Sequence, residues 1–347
     1  MTLPTRPLGR TGLAVTELGF GSGPLGGFRG RPIDDETAHA TLAAAWEVGI
    51  RYFDTAPWYG LGAGEHRVGR FLRSQPRDEY VLSTKVGRML GRRGAAAGGS
   101  PSVHWESSLP FDWWYDYRRD AVLRSFEDSL QRLGLERIDV LLIHDLEPGA
   151  HGGDEGARAR LAELDRGGGF EALAELRAAG VVHGIGIGVN DSGVVVPFLE
   201  RFDLDVVLQA GEYTLLEQRA LEPALAACAE RGVAVVVGAP FNSGLLASAA
   251  PQHPAFADED TTAETLGRVR RLRELCARHG VDVAAAALRF PLSHAAVASV
   301  IPGAARPDEV RENVERHASA LPEELWGELS GAGLLRADAP TPGRAPT

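Results

Sequence analysis

Cysteine is nearly absent from this chain: Cys228 and Cys276 are the only two in 347 residues. Far apart and set in helical patterns, they read as reduced core residues of a cytoplasmic protein, and they exclude a disulfide framework. There is no uninterrupted apolar run of the roughly 18 residues that a membrane span needs. The opening MTLPTRPLGRTG also lacks the apolar centre of a signal peptide. An excess of positive charge is missing too. Lys and Arg number 36 against 47 Asp and Glu, for a net charge of −11, which argues against nucleic acid or an anionic membrane as partner. What is present is an ordinary globular composition, 44% hydrophobic and 24% charged. A chain this long buries an ample core without a structural metal. Length alone allows two domains or one large barrel.

The order of elements favours one domain. Short β-branched apolar runs at 15–20, 50–53, 80–84, 138–143, 182–187, 206–208, 233–237 and 297–301 each have the length of a buried parallel strand. Amphipathic helical stretches separate them. One carries Val122, Phe126, Leu130 and Leu133 behind Asp120 as N-cap. Another carries Leu266, Val269, Leu272 and Cys276 and is closed by Gly280. A third, with Leu221, Leu225 and Cys228, has Pro223 in its first turn and stops at Gly232. Eight such strands are the number that closes a (β/α)8 TIM barrel, although alternation alone also allows an open, doubly wound sheet. Two segments break the rhythm. Residues 87–117 form a long excursion after the third strand, with the Gly- and Ala-rich GRRGAAAGGS followed by the aromatic FDWWYDY; loops of this size are usually functional or disordered. Residues 337–347 are Pro-rich and read as a disordered tail behind a single domain at 1–336.

Gly21-Ser-Gly23-Pro-Leu-Gly26 matches a dinucleotide fingerprint, but the helix that the fingerprint needs does not follow. Loop character runs on to residue 30, and helical pattern resumes only near Asp35. These glycines suit a barrel-mouth loop where backbone approaches a ligand. The chemistry lies at three successive strand ends. Asp54 closes the second strand and Tyr59 follows after a turn, Lys85 closes the third, and His144 closes the fourth, beside Asp145. Residues at the C-terminal ends of barrel strands converge on one site. Taken singly, each has a structural explanation; together they make a proton-handling set. Lys85 lowers the pKa of Tyr59, Asp54 pairs with Lys85 and keeps it charged, and His144 orients a substrate oxygen. The set suits proton transfer at an alcohol or carbonyl while a hydride moves to or from a nicotinamide. A metal-dependent hydrolase is the rival from another class. It lacks clustered His and Asp spacing, and Lys85 with Tyr59 is an odd ligand set, so no metal is expected.

The chain resembles the aldo-keto reductases. The tetrad of that family falls on Asp54, Tyr59, Lys85 and His144. RPLGRTGLAVTELGFG, GAGEHRVGRFL and IPGAARPDEVRENV extend the likeness over residues 5–336. Within the family, YRRDAVLRSFEDSLQRLGLERIDVLLIHD and AVVVGAPFNSGLLA are similar to sugar dehydrogenases of the L-fucose and D-threo-aldose type and to pyridoxal 4-dehydrogenase. The resemblance implies oxidation of an aldose at C1 to its lactone, with pyridoxal oxidation or general carbonyl reduction as alternatives. It implies that Gln209 and Asn190 meet the nicotinamide, that Gly21 borders the cofactor, and that Phe241 supplies an apolar face. The backbone of Asn242, Ser243, Gly244 and Leu245 would meet the pyrophosphate, and Asn313 the adenine. Where relatives that prefer NADPH present a basic fork, this chain has Gly303, Ala304 and Glu309, the last placed to accept from ribose hydroxyls. The exchange favours NAD, although Arg306 and Arg311 nearby leave NADP open. Trp58, Trp113, Trp114 and Tyr115 would wall the pocket for a small sugar or aldehyde, with an aromatic plug holding the excursion against the barrel as the other reading.

Overall fold

The computed structural model describes residues 2–28, 31–94, 105–247 and 262–343. Eight parallel strands form its centre: β3 (Phe20–Gly21), β4 (Tyr52–Asp54), β5 (Val81–Val86), β8 (Val140–His144), β9 (Gly184–Val189), β10 (Val206–Ala210), β11 (Ala234–Gly238) and β12 (Val297–Ile301), paired in that order. Parallel bridges Leu18–Val300 and Gly21–Gly303 join the first strand to the last, so the sheet closes into a (β/α)8 barrel. The open doubly wound alternative is thereby excluded.

Helices run back outside the strands. They are α1 (Asp35–Glu47), α2 (Ala63–Leu72), α3 (Arg119–Leu133), α4 (Asp154–Arg166), α5 (Gly169–Ala178), α6 (Val195–Arg201), α7 (Ala224–Arg231), α8 (Ala263–Arg278), α9 (Val283–Arg289), α10 (Pro307–Ala318) and α11 (Glu323–Gly331). Their ends follow local chemistry. The Asp34 side chain caps α1 through the Thr37 amide, and Gly232 takes the left-handed conformation that stops α7. Asp120, expected as the N-cap of α3, instead lies in its first turn, where its charge suits the helix dipole; Arg118 occupies the cap position. Two apolar layers result. The larger lies between strands and helices; the smaller fills the barrel interior with Leu8, Val15, Tyr52, Leu142 and Val236, among others.

The apolar run at 15–20 proves to hold two elements. Ala14–Thr16 (β2) pairs antiparallel with Thr5–Pro7 (β1), a hairpin that sends Leu8 and Val15 into the barrel floor, and only Phe20–Gly21 belongs to the barrel. The excursion at 87–117 is not irregular at its two ends: Arg88–Gly91 (β6) and Asp112–Tyr115 (β7) pair as an antiparallel ribbon. Its centre, residues 95–104, lies outside the described residues, as do 29–30 of the glycine loop. That loop forms one short 3-10 turn at Gly23–Gly26, and the first α-helix opens at Asp35. The expected tail is placed as far as residue 343, with Ala339 and Thr341 buried, so ordered chain continues past 336; residues 344–347 lie outside the description. Among the described residues no helix is long and apolar enough to cross a membrane.

Candidate active site

Strand register brings the four expected side chains to one mouth of the barrel. Asp54 is level with Ser83 across β4 and β5, and His144 is level with Gly188 across β8 and β9. The two-residue period of a strand puts Ser83 and Lys85 on the same, inward face. Gly188 leaves the room that this needs: a Cβ there would stand 3.3 Å from Lys85 Cε. Tyr59 sits in the turn after β4. It is held where two loops touch so closely that a Cβ on Gly26 would come 2.5 Å from the Gly60 amide nitrogen.

Lys85 is the only lysine in the chain; all other residues among the 36 of Lys plus Arg are arginine. Its compact ammonium does what a planar guanidinium would not, donating in three directions. Nζ lies 2.7 Å from Asp54 Oδ2, 2.9 Å from the Thr55 carbonyl oxygen and 3.2 Å from the Tyr59 hydroxyl. Asp54 Oδ1 accepts from Ser83 Oγ at 2.8 Å, and Ser83 Oγ lies 3.1 Å from the Tyr52 hydroxyl. Asp54 and Lys85 are 2% and 1% exposed, so each is the other's compensation for lost water. Burial pushes the Asp54 carboxyl up, while Lys85 and Ser83 pull it back. On Lys85, burial works downward but is outweighed by Asp54 and Tyr59, and the ammonium is held above its usual range.

Tyr59 departs from the expected electrostatics. Lys85 does draw its pKa down, but burial is the larger influence and the net direction is upward, so the resting phenol is neutral. His144 is neutral as well. Burial lowers its pKa to about 3, with Arg88 and Lys85 adding to the effect and Asp145 opposing it. Its ring meets the Tyr59 ring edge to face at 6.0 Å. Nε2 is 3.4 Å from Asp145 Oδ2, and Nδ1 is buried without a partner.

Aromatic rings wall this mouth. Trp58 contacts Trp113 at 4.4 Å and Trp105 at 5.8 Å between ring centroids, and Trp105 lies 5.8 Å from Tyr59. The Arg88 guanidinium lies over Trp58, Trp113 and Tyr115, 4.2, 5.0 and 4.8 Å from the ring centroids, and pairs with Asp145. Ribbon register explains the grouping. Arg88–Tyr115 and Leu90–Trp113 share one face, whereas Trp114 pairs with Met89 and falls on the other. Trp58 and Trp113 therefore converge as expected and Trp114 does not join them. Tyr115 joins them as expected, whereas Arg88, Trp105 and Ser83 were not singled out from sequence. Arg88, three residues after Lys85, carried a usable signal, and so did the uniqueness of Lys85 itself.

A family model described as the Aldo/keto reductase family matches residues 17–333. The chain belongs to the aldo/keto reductase family. Pyridoxal 4-dehydrogenase of Microbacterium luteolum is 43% identical over 95% of this chain and 97% of its own length. D-threo-aldose 1-dehydrogenase of a Pseudomonas species is 40% identical over the same shares. Among solved structures, the holo form of an aldo-keto reductase from Bacillus halodurans superposes with a TM-score of 0.73 at 28% identity, covering 96% of this chain and 97% of that one. This aldo/keto reductase is accordingly an NAD(P)-dependent oxidoreductase.

Its residues fit a nicotinamide at one decisive point. Gln209, last but one in β10, is fully buried, its Nε2 donates to the Asn190 carbonyl at 2.9 Å, and its Oε1 is buried with no partner. Such an acceptor suits the N–H of a carboxamide. Asn190 enters differently from what was expected. Its Nδ2 donates to Glu147 Oε1 at 2.7 Å, so the side chain is engaged and its carbonyl faces Gln209. Glu147 is a residue that sequence reading missed, three positions after His144. Burial and then Asp145 push its carboxyl up, against the N–H groups of Asn190 and Asp191.

The remaining cofactor candidates lie along the same rim. Gly21 and Gly303 bridge each other at the barrel seam, and Phe241 is half-buried against the core. In the loop after β11, Asn242 and Ser243 have φ of 46° and 56°. The amides of Asn242, Gly244 and Leu245 donate to carbonyls inside the turn, which redirects groups expected to face a pyrophosphate. Glu309, expected at a ribose, accepts from the Ala305 amide at 2.7 Å and pairs with Arg31 at 2.5 Å, one partner on each oxygen. Arg306 pairs with Asp308 at 2.9 Å, and Asn313 is buried on α10.

Proposed function

We propose that this enzyme oxidises an aldose of the L-fucose or D-threo-aldose kind at C1 to the lactone, using NAD. The observation that carries the chemistry is the three-way contact of Lys85 with Asp54, Thr55 and Tyr59, set beside a neutral His144 in an aromatic mouth. The nicotinamide, when bound, supplies the hydride acceptor. The Tyr59 oxygen takes the proton of the C1 hydroxyl as C1 loses its hydride and the lactone carbonyl forms. Lys85 stabilises the phenolate that this needs. His144, uncharged, hydrogen-bonds the reacting oxygen without repelling a cation. The aromatic faces of Trp58, Trp105 and Trp113 suit the apolar face of a sugar ring.

Because the resting phenol is neutral, sugar oxidation should accelerate as pH rises and carbonyl reduction should slow. NAD is supported by the start of α10, where Arg306 is held by Asp308 instead of standing free for a 2′-phosphate. Pyridoxal oxidation is the second reading, favoured by the 43% identity to a pyridoxal 4-dehydrogenase. The test is initial-rate assay of the purified protein with NAD and with NADP against L-fucose, D-arabinose and pyridoxal. Preference for a sugar with NAD supports the first reading. Turnover of pyridoxal alone assigns the second.

A further inference from the structure

We propose that Glu147 is a positioning residue for the nicotinamide carboxamide, acting through Asn190 on Gln209; the inference rests on the family's use of NAD(P). Glu147 is 5% exposed. Its Oε2 accepts from the backbone N–H of Asn190 at 2.7 Å and of Asp191 at 2.9 Å, and its Oε1 accepts from Asn190 Nδ2 at 2.7 Å. One carboxylate thus fixes both the backbone and the side chain of Asn190. A residue held at its amide and its side chain has little freedom left in its carbonyl. That carbonyl receives the Gln209 Nε2–H at 2.9 Å.

The consequence is directional. An amide side chain can present either end, and its flip is decided by what its partners accept. With Nε2 tied to the Asn190 carbonyl, Gln209 must turn Oε1 to the remaining side, where it is buried and unpartnered. The orphaned oxygen can accept a carboxamide N–H and cannot bond a carboxamide C=O. Glu147 touches no reacting atom; its effect is to decide which end of Gln209 faces the ring. A purely structural anchor would affect every nucleotide ligand alike. A positioning residue affects only ligands that carry the carboxamide N–H.

The experiment titrates quenching of tryptophan emission with NADH and with the reduced 3-acetylpyridine analogue, which has a methyl ketone in place of the carboxamide, and measures ADP-ribose, which has no nicotinamide, by its displacement of NADH. In Glu147→Gln, one amide end meets N–H donors with an N–H of its own, and the anchor on Asn190 is lost. The Kd for NADH should rise about tenfold, ~1.4 kcal/mol, while the other two change by less than about twofold. Asn190→Ala, which keeps the carbonyl but removes the side-chain tie, should shift NADH in the same sense by less. Equal losses for NADH and the acetylpyridine analogue, or no loss for NADH, would overturn the proposal. Failure of the unaltered protein to bind any of the three would overturn the nicotinamide reading itself, and the proposal with it.

Discussion

Replacing Asp54 with asparagine removes a charge from the site while nearly keeping its shape, and the effect should be read on Lys85. In the native protein the Lys85 ammonium lies 2.7 Å from Asp54 Oδ2, and both residues are almost wholly buried. Opposite unit charges about 4 Å apart attract by about 4 kcal/mol at an effective dielectric near 20. At ~1.36 kcal/mol per tenfold change, that is about a thousandfold in the protonation equilibrium of Lys85. Once the carboxylate is gone, burial is the largest influence left on the amine, and it favours the neutral form. The native ammonium should stay protonated through the region near pH ~10.4 where an exposed lysine titrates, and the Asp54→Asn variant should lose its proton about three pH units sooner than the native protein. The chain has one lysine, so lysine labelled with 15N at Nζ gives a single side-chain signal to follow by NMR as pH is raised. Turnover should fall about a hundredfold alongside, the low end of what a disturbed acid–base group costs. Identical titrations in the two proteins, or native Lys85 titrating like an exposed lysine, would refute the claim that Asp54 keeps it charged.

Three further outcomes follow from the same geometry. His144, held at about 3 in the folded protein, binds fewer protons folded than unfolded between there and ~6.5. Its contribution to stability is therefore complete above that upper value and declines as pH falls, by up to ~1.4 kcal/mol per pH unit. Urea melts of the native protein and His144→Gln across that window should diverge accordingly; parallel curves would contradict it. Ser83→Ala removes the donor to Asp54 Oδ1 and leaves the Tyr52 hydroxyl without its partner, which should cost about 1–3 kcal/mol in denaturant unfolding. Arg88→Ala takes the cation from among Trp58, Trp113 and Tyr115 and leaves Asp145 without its ion pair. The kcat/KM for sugar should fall at least tenfold, about 1.4 kcal/mol, with the Kd for NADH unchanged.

The barrel was legible because buried parallel strands must be continuous apolar runs, and the strand ends at Asp54, Lys85 and His144 follow from that pattern alone. It failed where one run served two purposes. Residues 15–20 look like a single strand, yet Ala14–Thr16 pairs with Thr5–Pro7 and leaves only Phe20–Gly21 to the barrel. The ribbon of Arg88–Gly91 with Asp112–Tyr115 was hidden because its halves are separated by a long polar and small-residue stretch, and no local turn signal joins them. In the site, charge was readable and burial was not. Sequence shows the cation that lowers the Tyr59 pKa but not the desolvation that raises it further. Likewise Asn190 was visible as a cofactor residue, whereas its capture by Glu147 depends on two loops meeting in space. The pairing of Glu309 with Arg31 likewise joins residues far apart in sequence, and nothing local announces it.

Tyr59→Phe tests the central claim most directly, since it removes one oxygen and leaves the ring that packs against His144 and Trp105. Nicotinamide absorbance should show NAD reduction by the native protein with L-fucose or D-arabinose. In the variant, turnover should fall by at least about a hundredfold, while NADH binding measured by tryptophan quenching stays within about twofold. Turnover retained in Tyr59→Phe, or lost only together with cofactor binding, would contradict the account.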